Sequence, residues 1–347
     1  MAQAHSRPKL VPAPELRRLP GMPQAQWLEG HELRLAVYEA GPTDHTKPAI
    51  VLAHGFPEIA YSWRHQIPSL AQAGYRVLVP DQRGYGFSER PQAVEAYDMA
   101  DLMGDLLAIL DACDIEKAIF CGHDWGGLVT WQLPLFHPDR VLGMIGVNTP
   151  FLPRLPVDPV MALQAAFGSN HYVVFFQTPD APEALFEQDL DTTFRFFMRR
   201  SDLTHEEFLK RPPEMRNLAL QTALERFKVI DDPAGAFGGE GFLSPEDLQI
   251  YVDHFAHSGF RGPIHWYRNM ARNWAMSAQI AQHVPHPSLM IMAQNDVVLH
   301  PGLANGMERF VPDLERVLIE NCGHWTQQEH PDQTNKAILS WLARRFG

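Results

Sequence analysis

The stretch Ile119–Val129, IFCGHDWGGLV, runs from a continuous apolar segment through a glycine-bounded turn into a helix-like segment. Its centre reads Gly122-His123-Asp124-Trp125-Gly126. A nucleophile carried on a sharp strand-to-helix turn commonly sits in the pattern G-x-S-x-G, because small flanking residues let the turn close and the helix pack on the strand. Here a carboxylate stands where the hydroxyl is usual. The spacing predicts a strand over Ala118–His123, Asp124 at the apex of the turn, and a helix over WGGLVTWQLPLF, Trp125–Phe136.

Outward from this turn, short apolar runs recur: AIVLAHG (Ala49–Gly55), RVLVPD (Arg76–Asp81), GMIGVN (Gly143–Asn148), PSLMIMAQND (Pro287–Asp296) and ERVLIENCGH (Glu315–His324). Nearly unbroken apolar runs are how strands covered on both faces of a parallel sheet read. LEGHELRLAVY, Leu28–Tyr38, alternates instead and reads as a half-buried strand. Helical patterns lie between the runs. Asp98 is placed to cap a helix that keeps Leu102, Leu106, Ile109 and Leu110 on one face, and TNKAILSWLARRF closes the chain. Strand and helix alternating in this way predict an α/β fold with a mostly parallel central sheet flanked by helices.

The alternation stops at Thr149-Pro150 and resumes only near residue 284. The intervening block is helix-like and rich in Phe, Trp, Met and Arg. Within it, Ser244, Pro245 and Asp247 mark a helix start, and DDPAGAFGGEG, Asp231–Gly241, reads as a loop. The predicted organisation is a first core part at 1–150 with residues 1–20 as a Pro-rich surface arm, an inserted helical lid or cap at 151–283, and a second core part at 284–347.

Composition narrows the function. The 347-residue chain is 45% hydrophobic and 20% charged, with a net charge of −12. An acidic chain without a basic tract is poorly suited to nucleic acid, since neutralising phosphates takes clustered Lys and Arg. The N-terminus has no apolar segment of the secretory type, and no apolar run reaches the roughly 18 residues that span a membrane. Three cysteines, Cys113, Cys121 and Cys322, fit a reducing cytoplasm, with Cys113 and Cys121 as small core residues. No metal or cofactor is expected. His254 and His257 lack further ligands and read as a solvated lid face, and no phosphate-binding loop follows a strand.

Two further residues complete a constellation. Asp296 follows the run LMIMA, and His324 follows RVLIENCG in a setting suited to an exposed loop tip. Nucleophile, acid, then histidine, each beyond the C-terminal end of a strand, is the chain order found in hydrolases built on such a sheet. HGFPE, His54–Glu58, follows the run AIVLA, so the backbone N–H groups of Phe56 and Trp125 are placed to form an oxyanion hole.

The aspartate has a chemical consequence. A serine that attacked a saturated carbon would be trapped as an ether. A carboxylate forms an ester instead, whose carbonyl belongs to the enzyme. Water activated by His324, itself oriented by Asp296, attacks that carbonyl while the oxyanion hole holds the charge. Asp124 therefore implies a substrate with an electrophilic saturated carbon, either an epoxide or an alkyl halide.

HGFPE, DQRGYGFSERP (Asp81–Pro91), GHDWGG (Gly122–Gly127), NTPF (Asn148–Phe151) and GHWTQQEHP (Gly323–Pro331) together resemble the epoxide hydrolases of the α/β-hydrolase fold. The resemblance runs from about His31 to the C-terminus. It implies that the lid supplies two tyrosines, matched here by Tyr172 in NHYVVFFQ and Tyr267 in GPIHWYRNM. It also implies substrate contact at Phe56, Trp125 and Trp325, with lid aromatics such as Phe175, Phe197 and Trp274 as candidates for the pocket wall. The implied partners are a small-molecule epoxide and water; a homo-oligomer is open. Two alternatives stand. Haloalkane dehalogenases share the aspartate but usually carry a polar residue at the place of Phe56. A non-catalytic ligand-binding protein on a hydrolase scaffold would be expected to lack one of these groups.

Overall fold

A computed structural model describes residues 7–44, 46–201, 203–212, 216, 218–230 and 239–347. Nine strands form one sheet: β1 (Lys9–Pro12), β2 (Ala25–Glu29), β3 (Leu35–Ala40), β4 (Ala49–Ala53), β5 (Arg76–Pro80), β6 (Ala118–His123), β7 (Val141–Val147), β8 (Ser288–Ala293) and β9 (Leu314–Ile319). Their spatial order is β1-β2-β3-β5-β4-β6-β7-β8-β9. The pairings from β5 through β4 to β9 are parallel, and those of β1, β2 and β3 are antiparallel. This is the α/β-hydrolase fold.

The apolar runs become β4 to β8 for the reason their composition gives, except that ERVLIENCGH becomes the partly exposed edge strand β9. Every residue of β4 and of β6 is buried, which only a strand covered on both faces can achieve. Each fully buried Ile, Val or Leu contributes roughly 1.5–3 kcal/mol of apolar transfer. Helix α1 (Met99–Ala112) starts where expected: the Asp98 side chain accepts from the N–H groups of Ala100 and Asp101. Its expected apolar face, with Leu102, Leu106, Ile109 and Leu110, is buried.

Three expectations are corrected. The stretch Leu28–Tyr38 is not one strand but the two arms of a hairpin, β2 and β3, between which Gly30 takes a φ of +80°. The alternation read as one strand came from the last two residues of β2, the turn and the first four residues of β3. The N-terminal arm is not merely laid over the surface. Lys9–Pro12 adds an antiparallel edge strand to β2, and Ala13, Leu19 and Met22 beyond it are buried. The predicted helix after Asp124 is broken. Helix α2 (Trp125–Thr130) ends before Pro134, whose ring excludes the carbonyl of Thr130 four residues back, and a short turn of helix resumes at Leu133.

Between β7 and β8 the described elements are helical, apart from an isolated bridge from Arg199 to Gly241. Those that matter below are α3 (Pro159–Phe167), α4 (Tyr172–Phe175), α5 (Pro245–Ser258), α6 (Arg261–Arg268) and α7 (Met270–Met276). Ser244 caps α5 as expected, accepting from the N–H of Asp247. Of the loop expected at Asp231–Gly241, residues 231–238 lie outside the described residues. His254 is not on a solvated face: it is buried against the Phe87 ring, 4.7 Å between centroids, while His257 is exposed. The period of α5 turns His254 inward with Tyr251 and Phe255, which a histidine pair three apart does not reveal.

Helix α6, which carries Tyr267, is seated on the core by two glycines. A Cβ on Gly262 would lie 2.7 Å from the Gly84 Cα, and one on Gly84 would lie 3.0 Å from the Gly262 Cα. Gly84 also has φ +88°, so only glycine serves there without strain. Above this contact the Trp266 indole N–H donates to the Arg83 carbonyl at 3.2 Å. Arg83 is itself fixed by a two-point bond to Asp105, 2.8 Å at each contact. Among the described residues, no helix is long and apolar enough to cross a membrane.

Candidate active site

The sheet reverses direction of growth at β4, with β5 on one side and β6 on the other. In open α/β sheets a crevice forms at such a point, beyond the C-terminal ends of the strands. Here the segment after β4 meets the turn after β6. A Cβ on Gly55 would lie 2.3 Å from the Asp124 Cβ, so the approach requires a glycine. Asp124 has φ +49° and ψ −121°, a conformation rare for a residue with a side chain and typical of strained functional turns. Strain of this kind persists because the surroundings hold it. The Asp124 carbonyl accepts from the Thr149 hydroxyl at 2.8 Å and from the Leu128 N–H at 3.1 Å.

The Asp124 carboxylate is mostly buried and held at both oxygens. Oδ1 accepts from the Phe56 N–H at 2.8 Å, and Oδ2 lies 3.7 Å from His324 Nε2. Trp125 opens α2, so its N–H is one of the helix donors without an intrahelical partner. His324 Nδ1 bonds Asp296 Oδ2 at 2.8 Å. His324 is not at an exposed loop tip as expected; its side chain is only 18% exposed. Its loop is drawn inward because Glu329 accepts from the N–H groups of both neighbours, Gly323 at 3.1 Å and Trp325 at 2.9 Å.

Asp296 is fully buried and accepts from the N–H groups of Val298 and Leu299 at 2.9 Å each and from Asn148 Nδ2 at 2.7 Å. Burial pushes its carboxyl up, but the charge and hydrogen bond of His324 and these N–H donors outweigh it and hold the group down at about 2. For His324, burial opposes the charged form. The charge and hydrogen bond of Asp296, then the charges of Asp124 and Glu58, prevail and raise the imidazole to about 9.

Beneath the histidine lies a second buried set that sequence reasoning did not assign. Glu58 Oε2 accepts from the Gly55 N–H at 2.9 Å and lies 2.7 Å from His123 Nδ1. Glu58 Oε1 accepts from the side-chain amides of Gln327 and Gln328 at 2.8 and 3.0 Å. His123 Nε2 lies 2.7 Å from the His324 carbonyl, which can only accept, so that nitrogen carries a proton. The loops after β4, β6 and β9 are thus tied together under the site. The signal was present in the quoted motifs, where Glu58, His123 and Gln327-Gln328 stand beside the residues already chosen. Asn148, with φ +62°, was read as the end of a strand and the start of the NTPF motif, without a role in the site.

A cavity of about 750 Å³ opens above Asp124. Trp125, Tyr172 and Tyr267 line it with Asp124, and the remaining wall is largely apolar, with Leu128, Leu152, Leu163, Phe167 and Met270. The tyrosine rings stand 5.8 Å apart at 78° to one another. Burial raises the phenol of Tyr172, with the charges of Asp124 and Asp296 adding to it. Burial likewise raises Tyr267, with Tyr172 and Asp124 adding. Both hydroxyls therefore stay protonated and able to donate. Phe56 contributes its N–H while its ring packs away among Phe176, Phe197, Phe260 and Tyr267 at 5.3–6.0 Å. Trp325 is outside the lining. Its ring packs on His324 at 4.7 Å and its indole N–H donates to the Phe197 carbonyl at 2.8 Å. Phe175, Phe197 and Trp274 are also outside it, whereas Phe167 and Phe208, not singled out from the sequence, are within it.

The arrangement presents a carboxylate, a histidine-carboxylate pair behind it, a backbone donor on one carboxylate oxygen and two phenolic donors across the cavity. The chain is similar to known proteins over the elements that carry this arrangement. The α/β-hydrolase fold profile matches residues 48–331. Epoxide hydrolase A of Mycobacterium tuberculosis is 40% identical over 329 residues, covering 93% of this chain and 98% of that protein. Bifunctional epoxide hydrolase 2 of Sus scrofa is 42% identical over 298 residues, covering 85% of this chain and 51% of that protein. The chain thus spans about half the length of the mammalian relatives it matches. The crystal structure of epoxide hydrolase A from Mycobacterium thermoresistibile superposes with a TM-score of 0.80 at 36% identity, covering 94% of this chain and 99% of that one. With matches of this extent over the elements that build the site, the chain belongs to the epoxide hydrolase family of the α/β-hydrolase fold.

Proposed function

We propose that the protein opens an epoxide to a vicinal diol through an ester on Asp124. The observation that carries this reading is the Asp124 carboxylate itself, bonded at Oδ1 by the Phe56 N–H and facing His324 at Oδ2. Asp124 attacks a ring carbon, and the C–O bond to the ring oxygen breaks. Tyr172 and Tyr267 donate to that oxygen, and one proton passes to it. The carboxylate oxygen not used in the new bond becomes the ester carbonyl, held by the N–H groups of Phe56 and Trp125. Water, losing a proton to His324, attacks that carbonyl; the ester C–O bond breaks as His324 returns that proton to the departing oxygen, the diol leaves, and water's second proton, left on the carboxyl, restores the phenol, so that the carboxylate returns. Asp296 orients His324 and stabilises its charged form. Residues 151–283 act as a cap that closes the site from above and supplies both tyrosines. Three buried, unpaired cysteines fit a reducing cytoplasm.

The two half-reactions ask opposite things of His324. Raised to about 9, it is an imidazolium near neutral pH, which suits a resting carboxylate but cannot take a proton from water. Alkylation removes the Asp124 charge, one of the charges that raises it, so its pKa falls and it becomes a base when one is needed. The expected result is that ester hydrolysis speeds up with pH through an apparent pKa lower than that of His324 in the free protein. Single-turnover hydrolysis rates across pH, set beside an NMR titration of the free protein, check this. An equal or higher value for the alkylated protein contradicts it.

The direct test of the activity is turnover of a simple aryl epoxide, with halide release from a matched alkyl bromide measured in parallel. Diol formation with little halide release is expected, because the phenolic donors match an alkoxide leaving group better than a halide. Halide release as the dominant activity would favour the dehalogenase alternative. No turnover of either, with binding retained, would favour a non-catalytic binding role.

A further inference from the structure

The apolar lining of the cavity does not stop at its mouth. Leu152, Phe167 and Leu209 line the cavity and are exposed on the surface as well. Leu155, Val157 and Met161, outside the lining, are exposed too, Met161 to 67%. Helix α3, PVMALQAAF, carries two of these residues and is apolar apart from Gln164, yet not one of its nine residues is buried. A helix apolar on all sides is ordinarily a core element, and an apolar patch left on the surface marks a place of contact.

The segment that builds most of this patch is electrically quiet. From Thr149 to Thr178 only Arg154 and Asp158 carry a charge, against a net −12 for the chain. His171 in the same stretch stays neutral, because burial lowers it to about 4. Both charges are engaged. Asp158 caps α3, accepting from the N–H groups of Val160 and Met161. Arg154 lies over the Trp274 ring, 4.2 Å from its centroid, and donates to the Trp274 carbonyl at 3.0 Å. Trp274 is half-buried on α7, and its indole N–H donates to the Leu155 carbonyl at 2.8 Å. A tryptophan and an arginine bordering apolar surface suit the level of lipid headgroups. A second copy of the chain seated here would close the mouth of the cavity. A lipid surface would instead supply it, since apolar epoxides partition into lipid. The uncharged patch matches a zwitterionic lipid, whereas the chain's net charge opposes an anionic one.

We infer that this patch seats the protein on the surface of a zwitterionic lipid bilayer, with Leu155, Val157 and Met161 in the interface and the mouth of the cavity facing the lipid. Apolar epoxides then reach Asp124 from the bilayer without crossing water. The protein lies on the membrane and does not span it. The choice of lipid as occupant rests on the epoxide-hydrolase reading, but the docking itself is measured without turnover.

Flotation of the full chain with phosphatidylcholine vesicles tests this. Binding is expected, insensitive to salt and weakened when anionic lipid is added. The triple change Leu155→Ser, Val157→Ser and Met161→Ser should lower the partition constant by about tenfold or more, since it removes apolar surface that the lipid covers. None of the three residues lines the cavity, so circular dichroism, and kcat/KM for a water-soluble epoxide without vesicles, should be unchanged. Met161→Glu alone, which exchanges one good helix former for another, should weaken binding in the same direction. Failure to bind these vesicles overturns the proposal, and so does binding that survives both variants. In the absence of vesicle binding, a dimer that the triple change dissociates in analytical ultracentrifugation assigns the patch to a second copy instead. If vesicles bind and the triple change releases them, yet no epoxide is turned over, the docking surface stands and the epoxide reading fails.

Discussion

His324→Gln is expected to form the covalent ester and then hold it. Attack by the Asp124 carboxylate on an epoxide carbon needs no base, and the Phe56 N–H at Oδ1 is untouched by the change. Hydrolysis does need a base. His324 Nε2, 3.7 Å from Asp124 Oδ2, is the group placed to activate water beside that carboxylate, and its Nδ1 is held by Asp296. General-base catalysis is worth roughly 10²–10⁴-fold, so hydrolysis should slow by at least that factor while alkylation is retained. Glutamine preserves a polar side chain at the site but cannot take up the proton. Intact-protein mass spectrometry should show the protein plus one substrate mass, and peptide mapping should place the addition on Asp124. A variant that turns over normally, or one that binds substrate without forming the adduct, would remove His324 from this role.

The double change Tyr172→Phe with Tyr267→Phe should bring the first half-reaction close to a halt. Ring opening leaves an alkoxide whose conjugate acid has a pKa near that of water, about 15.7. A tyrosine, with an ordinary pKa of about 10, is a competent donor to it. Burial raises both phenols and keeps them protonated, so the donors are present throughout the working pH range. Losing one oxyanion donor costs roughly 2.7–4 kcal/mol in comparable sites, about 10²–10³ in rate. With two donors on one oxygen, each single change should cost less than this, and the double change considerably more. The rings stand edge to face with each other and with Phe176 and Trp125, and phenylalanine keeps those contacts. Circular dichroism should therefore report a folded double variant. Epoxide opening near the original rate would show that these hydroxyls are not the donors.

Much of this was legible in the sequence because the central strands carry their burial in their composition. AIVLA and AIFCGH are apolar on both faces, and the chemistry sits where each such run stops, at Phe56, Asp124, Asp296 and His324. The turn at Asp124 could be read because its glycines have a local cause: close approach of backbone to backbone. What could not be read depends on distance in space. The hairpin β2–β3 imitated one strand because the alternation continues across its turn, residues 30–34, where Gly30 has a positive φ. His324 looked like a loop tip because the residue that draws its loop inward, Glu329, is a surface-type residue four positions past Trp325. Trp325 and Phe197 read as pocket aromatics, yet they are bonded to each other behind the histidine, and neither lines the cavity.

The central claim is that the oxygen added to the substrate comes from Asp124 and not directly from water. A single turnover with excess enzyme in oxygen-18 water tests it most directly. The account predicts that the first diol released carries an unlabelled oxygen from the Asp124 carboxylate, and that the label enters the protein at that residue, where digestion and mass spectrometry locate it. A first diol fully labelled, with no label in Asp124, would mean that water attacks the epoxide directly and that the ester does not form.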